Sequence, residues 1–488
     1  MHVPNGILPR SPATSNTSGP RAALRYGVLS LMCGSLGLAC DDERATRMGS
    51  AGGDAGDAAS VTGGLAPAAG GRASEPDTPG SPAGASGSSG GPPNATTAPA
   101  SPAGTPDAAV VDEGLLGTPE RPQLSSAAAE EQTVLAYLAA AGDVEGLTVD
   151  NWDPTAGVGD IAAFTPDFEV AAGGLYPTVQ AAVTAAVAAG STARQYIAVA
   201  AGTYRELVCV PSEAPPITLY GTNPDAAQTV IVFDNYSGKP KSVGTPANPC
   251  NPNLNGATFG TSGSATFAAY SADFQAKNLS FVNDTDEAAA ASESVQGVAL
   301  SVQGDRAIFE NVRVVGNQDT LFVKTSNVGT VARSYFKACY VEGDTDFIFG
   351  RGTAVLDGCT IHSVTSRTAN GVAIAPSTDA RNLFGILVND GTFSADAAAA
   401  PLSTHLGRAW DEGQGDVTTY STNVASGIYP NGQATVRGSL LGAHIQSAGP
   451  WRPAATTARP YSSVAGALPA NRLYEFANTG PGSAAPSQ

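Results

Sequence analysis

An all-β chain is predicted from three features. These are short apolar runs rich in β-branched and aromatic residues, turn residues between those runs, and no hairpin signal joining paired alternating segments. The runs are Tyr196–Val199, Ile217–Tyr220, Val230–Phe233, Phe274–Phe281, Val298–Val302, Ala307–Val315 and Tyr335–Val341. A β-sandwich would place strands about every 8–12 residues, with Asn-Gly at its hairpins. Asn-Gly occurs at Asn255-Gly256, Asn370-Gly371 and Asn431-Gly432, but not between paired alternating runs. The runs fit better as rungs of a solenoid, whose coils bury each other's apolar faces. Periodicity therefore favours a parallel β-helix and leaves the sandwich open. Ahead of the runs, Ala181–Ala189 is an Ala/Val segment that reads as a short helix ended by Gly190.

Composition narrows the function. The chain has 488 residues, 57 of them Gly and 35 Pro, and only 14% are charged. Such usage fits many short strands with frequent turns, partial disorder, or both. A net charge of −18 with no run of Lys and Arg argues against a nucleic-acid partner. A polyanionic substrate would be accepted best where its own charges are masked, for example as esters. The cysteines (Cys33, Cys40, Cys209, Cys250, Cys339 and Cys359) form no CxxC pair, and the four histidines are isolated. No metal site and no cofactor are expected.

The first 130 residues read differently from the rest. Arg10, Arg21 and Arg25 precede an apolar, small-residue stretch from Tyr26 to Ala39, the layout of an export signal over residues 1–40. The stretch is short for a membrane span. It ends at Gly37-Leu38-Ala39-Cys40, which resembles a bacterial lipoprotein cleavage box with Cys40 as the lipidated residue. Gly37 stands where such boxes usually carry Leu. Residues 41–130 are rich in Ala, Gly, Ser and Pro, and from Glu43 to Glu130 they hold no Phe, Tyr or Trp. They bury too little apolar surface to offset the entropy of ordering, and read as a flexible tether. Gly87-Ser88-Ser89-Gly90-Gly91 matches the G-x-S-x-G pattern of serine hydrolases, but that motif needs a strand before it and a helix after it. In low-complexity sequence the match is chance. The folded domain is expected over residues 131–488.

Beyond about Phe168 several segments together resemble one family, the pectin methylesterases. They are Ala201-Gly202-Thr203-Tyr204-Arg205-Glu206, Gln296-Gly297-Val298-Ala299-Leu300, Gln318-Asp319-Thr320-Leu321, Asp346-Phe347-Ile348-Phe349-Gly350, Leu406-Gly407-Arg408-Ala409-Trp410 and the stretch Tyr474–Gly482. Each alone reads as a turn, a strand end or packing; their order along the chain carries the likeness. The resemblance implies a single-stranded right-handed parallel β-helix, with a short N-terminal helix and long loops forming a substrate groove. It further implies hydrolysis of methyl esters of polygalacturonate to pectate and methanol.

Chemistry assigns roles to the same residues. Ester cleavage needs a nucleophile, a proton donor for the leaving alcohol, and donors for the oxyanion. Asp346 precedes an apolar Phe-Ile-Phe run, where a charge needs a partner. Arg408 can be that partner and keep Asp346 ionised as the nucleophile. Asp319, without the arginine, keeps its proton more easily and serves as general acid, then general base. Gln296 and Gln318 are neutral amide donors suited to the oxyanion. Trp410, Phe322 and Phe349 would face the sugar rings; Phe322 stands where the family often has Tyr. Cys339 and Cys359 bracket Asp346, and the resemblance implies a disulfide between them, leaving Cys209 and Cys250 as a second pair. The expected partner is methyl-esterified pectin or oligogalacturonides, met by an exported monomer, attached to a membrane through Cys40 or else secreted. Two alternatives stay open: an esterase or thioesterase of the same fold on another acyl substrate, and a non-catalytic polysaccharide-binding surface protein.

Overall fold

The computed structural model describes residues 115–484, apart from positions 244, 245, 291, 293 and 369. The expected signal, Cys40 and most of the expected tether lie outside the described residues. One coil shows the construction. The chain runs as strand Arg333–Lys337, bends, runs as Tyr340–Gly343, bends again and runs as Thr345–Gly350. The next strand, Thr353–Asp357, then lies parallel on the first, with Arg333 opposite Thr353. Repetition builds three sheets of 12, 8 and 8 strands, with a separate three-stranded sheet outside them. Ladders between successive coils are parallel, so the fold is a parallel β-helix and the sandwich is excluded.

The strand period of two decides what fills the interior. In the first sheet Ile197, Leu219, Ala276, Phe309, Phe336, Leu356, Val388 and Val436 stand on one another in register. All are fully buried. The rings of Phe309 and Phe336 stack at 4.6 Å and 8°. No coil could cover such a face alone; each is buried by its neighbours.

Three of the runs read from sequence are each two strands bent at a corner. Phe274–Phe281 divides into Gln275–Lys277 and Ser280–Asn283, and Ala307–Val315 into Ala307–Glu310 and Arg313–Val315. Tyr335–Val341 divides in the same way. The corner is a single left-handed residue. Asn278, Asn311, Ala338, Gly358, Asp390 and Gly438 occupy it on successive coils, all at φ between 50° and 61°. Asn, Asp and Gly suit that conformation; Ala does not. Ala338 is exposed, so its methyl packs on little. Ala338→Gly is therefore expected to stabilise the protein by about 0.5–1 kcal/mol, read as a raised unfolding midpoint. An unchanged or lowered midpoint would refute this account of the corner.

The predicted helix, here α1, spans Val179–Ala188 and is capped by Thr178, whose hydroxyl accepts from the Ala181 N–H. Its Val179, Ala182, Val183 and Ala186 close one end of the core. Glu206, from the Tyr204-Arg205-Glu206 segment, accepts from the N–H groups of Val179 and Gln180 at 2.8 and 2.9 Å. A carboxylate is favoured there because the N–H groups of a first helical turn lack internal partners.

At the other end the structure corrects the domain boundary. Leu115–Thr118 and Arg121–Leu124 form a hairpin that adds to the last strand, Arg472–Phe476. Arg121 forks onto Glu475 with both contacts at 2.7 Å, and both side chains are buried. The folded domain thus begins by Leu115, inside the stretch expected to be tether. That stretch looks unfoldable by composition, but its residues from Leu115 to Leu124 acquire partners from the far end of the chain.

The cysteines divide. Cys209 and Cys250 are bonded, with Cα atoms 5.3 Å apart. The expected Cys339–Cys359 bridge is not formed, and both are buried free thiols. They stand in register on adjacent coils, and each is occupied by backbone of the preceding coil. Cys339 Sγ lies 3.4 Å from the Phe309 carbonyl and Cys359 Sγ 3.3 Å from that of Phe336. Each acts as a small core side chain with a weak donor satisfied.

Candidate active site

The third sheet carries the candidate residues. Its strands are β1 (Val208–Val210), β2 (Phe267–Ala269), β3 (Leu300–Val302), β4 (Leu321–Val323), β5 (Thr345–Gly350), β6 (Gly371–Pro376), β7 (Thr404–Trp410) and β8 (Trp451–Ala455). They pair in this order, one per coil. Leu321 of β4 lies opposite Ile348 of β5. Two residues earlier on each coil, Asp319 therefore stands beside Asp346. Both are left-handed, at φ 65° and 49°. Asp tolerates that conformation better than most residues, and here it occurs twice side by side. The Asp319 N–H is held by the Thr345 carbonyl at 3.1 Å.

Arg408, from β7, reaches across β6 to Asp346. Its Nε lies 2.8 Å from Oδ1 and its Nη2 2.6 Å from Oδ2. The bidentate fork is the strongest ordinary pairing of a carboxylate and fixes its plane. Among the described residues Asp319 has no such partner. Burial pushes its carboxyl well above the ordinary range, and the charge of Asp346 pushes it further, while Arg408 opposes both. The two aspartates thus differ in surroundings: Asp346 is forked by a guanidinium, and Asp319 is buried beside that carboxylate without a fork of its own.

The glutamines arrive by the same register. The Gly297 N–H donates to the Gln318 carbonyl at 3.2 Å, so the Gln296 and Gln318 segments lie on neighbouring coils at the start of β3 and β4. Phe322 and Phe349, opposite one another on β4 and β5, stack at 4.3 Å and 10°. Trp410 lies 5.6 Å from Phe349 and 6.3 Å from Phe322. The phenylalanines are 5% and 3% exposed, whereas Trp410 is only partly covered. Of the three rings expected to face sugar, the tryptophan thus offers the open surface and the phenylalanines form its bed. The Trp410 Nε1–H donates to Thr456 Oγ1 at 3.2 Å, which fixes the indole.

Several neighbours were not read from the sequence. Lys324 leaves β4 on the same face as Phe322, its ammonium between the Phe322 and Tyr270 rings and 3.2 Å from Ser262 Oγ. Two-residue alternation from Phe322 would have found it. Arg452 of β8 lies opposite Arg408 and donates to the Asn370 carbonyl at 3.4 Å. His405 of β7 is held neutral, pushed down to about 4 by burial and by the charges of Arg452 and Arg408. No spacing in the chain announces Arg452, because the ladder alone brings β8 beside β7. Glu287, Asp344 and Arg367 form a charged cluster behind Gln318. Only Asp344, two residues before Asp346, carried any local signal.

Comparison with known proteins points to one family. A pectinesterase family model matches residues 169–441, more than half of the chain. A pectinesterase of Ralstonia solanacearum is 49% identical over 371 residues, covering 75% of this chain and 92% of its own. The rice weevil pectin methyl esterase structure superposes with a TM-score of 0.62 at 30% identity, over 75% of this chain and 98% of that one. A putative acyl-CoA thioester hydrolase of Escherichia coli is 29% identical over 79% of this chain and 94% of its own. With the paired aspartates on adjacent coils of a parallel β-helix, and with likeness of this extent, the chain belongs to the pectinesterase family and is a carboxylic ester hydrolase.

Proposed function

We propose that the protein hydrolyses methyl esters of polygalacturonate, with Asp346 as nucleophile and Asp319 as general acid and base. The observation that carries this reading is the asymmetric pair: Asp346 forked by Arg408, and Asp319 beside it without the fork, its carboxyl pushed well above the ordinary range by burial and by the charge of Asp346. The Asp346 carboxylate adds to the ester carbonyl carbon, and the carbonyl electrons move to an oxyanion met by the Gln296 and Gln318 amides. Asp319 gives its proton to the methoxy oxygen as the C–O bond breaks, and methanol leaves. The remaining acyl group is an anhydride on Asp346. Asp319, now ionised, takes a proton from water, which attacks the same carbon. That transfer restores the proton on Asp319, and collapse breaks the bond to Asp346, freeing its carboxylate and the uronic acid, which gives its proton to solvent.

Trp410 is the face on which a sugar ring packs, with Lys324 and Arg452 as cations toward which free carboxylates of the polymer are drawn. The test is methanol release from pectins of graded esterification. Turnover of an acyl-CoA thioester with no methanol from pectin would favour the chemistry named for the Escherichia coli relative. Binding of pectin with neither activity would favour a surface lectin-like role.

Export and anchoring through Cys40 belong to the same proposal and are supported by the Arg-flanked apolar stretch and its cleavage-box likeness. Labelled palmitate incorporated by the full chain and absent from Cys40→Ser is the expected result. Equal labelling of both would reject Cys40 as the lipidated residue.

A further inference from the structure

Behind the catalytic pair lies a charged cluster that the ester chemistry leaves unused. Arg367 forks onto Asp344, its Nε 2.8 Å from Oδ2 and its Nη2 2.6 Å from Oδ1. It also pairs with Glu287. The Asp344 side chain is fully buried and that of Glu287 is 6% exposed. Buried charge is costly unless paired, so a three-membered cluster here calls for a reason beyond solubility.

The cluster grips the catalytic segment at several points. Arg367 Nη2 reaches Gln318 Oε1 and Thr345 Oγ1, each at 3.5 Å. The Asp344 N–H donates to the Asn317 carbonyl at 3.1 Å. Gln318 is therefore met at its side chain by Arg367, whose own place is fixed by Asp344 and Glu287.

A guanidinium carries donors and no acceptor. The Gln318 atom that faces Arg367 must then be the carbonyl oxygen, and the amino group of the carboxamide is turned the other way. An unrestrained glutamine would populate both flips, since oxygen and nitrogen are nearly equal in size. Only one flip presents N–H groups to an oxyanion.

We propose that Arg367, anchored by Asp344 and Glu287, is a positioning residue that holds the Gln318 carboxamide with its amino group toward the developing oxyanion. The proposal rests on the reading of Gln318 as an oxyanion donor in ester hydrolysis. Arg367 itself touches no reacting atom. Its effect should fall on the rate of the chemical step, because an oxyanion donor acts in the transition state more than in the bound substrate.

The test is a double-mutant cycle on methanol release, using the full chain, Arg367→Met, Gln318→Ala and the combined variant. Arg367→Met should lower kcat about ten- to a hundredfold with KM changed less than about twofold. The combined variant should fall no further than Gln318→Ala alone. Losses that multiply, or a loss confined to KM, would overturn the proposal. Should Arg367→Met fail to fold, Arg367→Lys takes its place in the cycle. It keeps the charge beside Asp344 but not the planar fork, and an intermediate kcat is expected. A crystal structure of Arg367→Lys gives a readout independent of turnover. With that structure solved by neutron diffraction, which tells amide oxygen from nitrogen, the Gln318 carboxamide should show the two interchanged or mixed, and the parent's orientation kept at full occupancy would reject the proposal. If the full chain releases no methanol, the substrate reading fails and the crystallographic arm still decides the network.

Discussion

Asp346→Ala is expected to lower methanol release by about ten-thousand-fold or more, since removing a nucleophile leaves only binding and oxyanion stabilisation. Retention of more than a few per cent of activity would disprove its role. The substitution also strands Arg408, whose fork onto Asp346 is its ion pair. Stranding a buried cation typically costs about 3–5 kcal/mol. Arg408 keeps 23% of its side chain exposed, so water recovers part of that. A lowered unfolding midpoint should therefore accompany the lost activity. Asp346→Asn separates the two effects. Its amide oxygen still accepts from Arg408, so stability should largely return while turnover stays lost, because a neutral carboxamide is a poor nucleophile.

Asp319→Asn is expected to be nearly as damaging to turnover and to have the opposite effect on stability at neutral pH. The carboxyl of Asp319 is raised by burial and by Asp346, so the folded protein binds its proton more tightly than the unfolded chain does. Where the folded state holds more protons than the unfolded state, stability falls as pH rises. That loss begins near the ordinary aspartate value of about 3.9 and continues until pH passes the raised value. Asn carries no charge to bury. The variant should therefore unfold at higher temperature than the parent at neutral pH, with the difference shrinking as pH falls toward 4. A midpoint unchanged by the substitution at every pH would show that Asp319 is not held protonated. In the parent, activity should decline on the alkaline side as Asp319 loses the proton that methanol needs on leaving.

The aspartate pair shows how far local sequence reaches. Asp319, Asp346, Arg408 and Trp410 sit in short motifs, and their chemical types are enough to propose nucleophile, acid, counter-ion and sugar platform. The interior was also legible, since alternation along each run names the inward residues. The corners were not. Ala338 has no turn signal of its own, and takes a left-handed conformation because the coils above and below demand a bend at that register. The Cys339–Cys359 expectation failed for a related reason. Nearness on successive coils is a matter of sequence spacing, but whether two thiols join depends on which neighbours each sulfur meets.

What the sequence by itself determined is the family, the all-β class and the candidates for the reacting side chains, because these depend on residue type and short spacing. The tertiary structure alone decided the rest. It brought Arg121 to Glu475, set Arg452 beside Arg408, and placed Arg367 behind Gln318. Each of these contacts joins segments far apart in the chain, and each is set by the parallel register between coils. That register is a property of the whole stack, because every coil is positioned by burial against its neighbours and no local stretch encodes it alone.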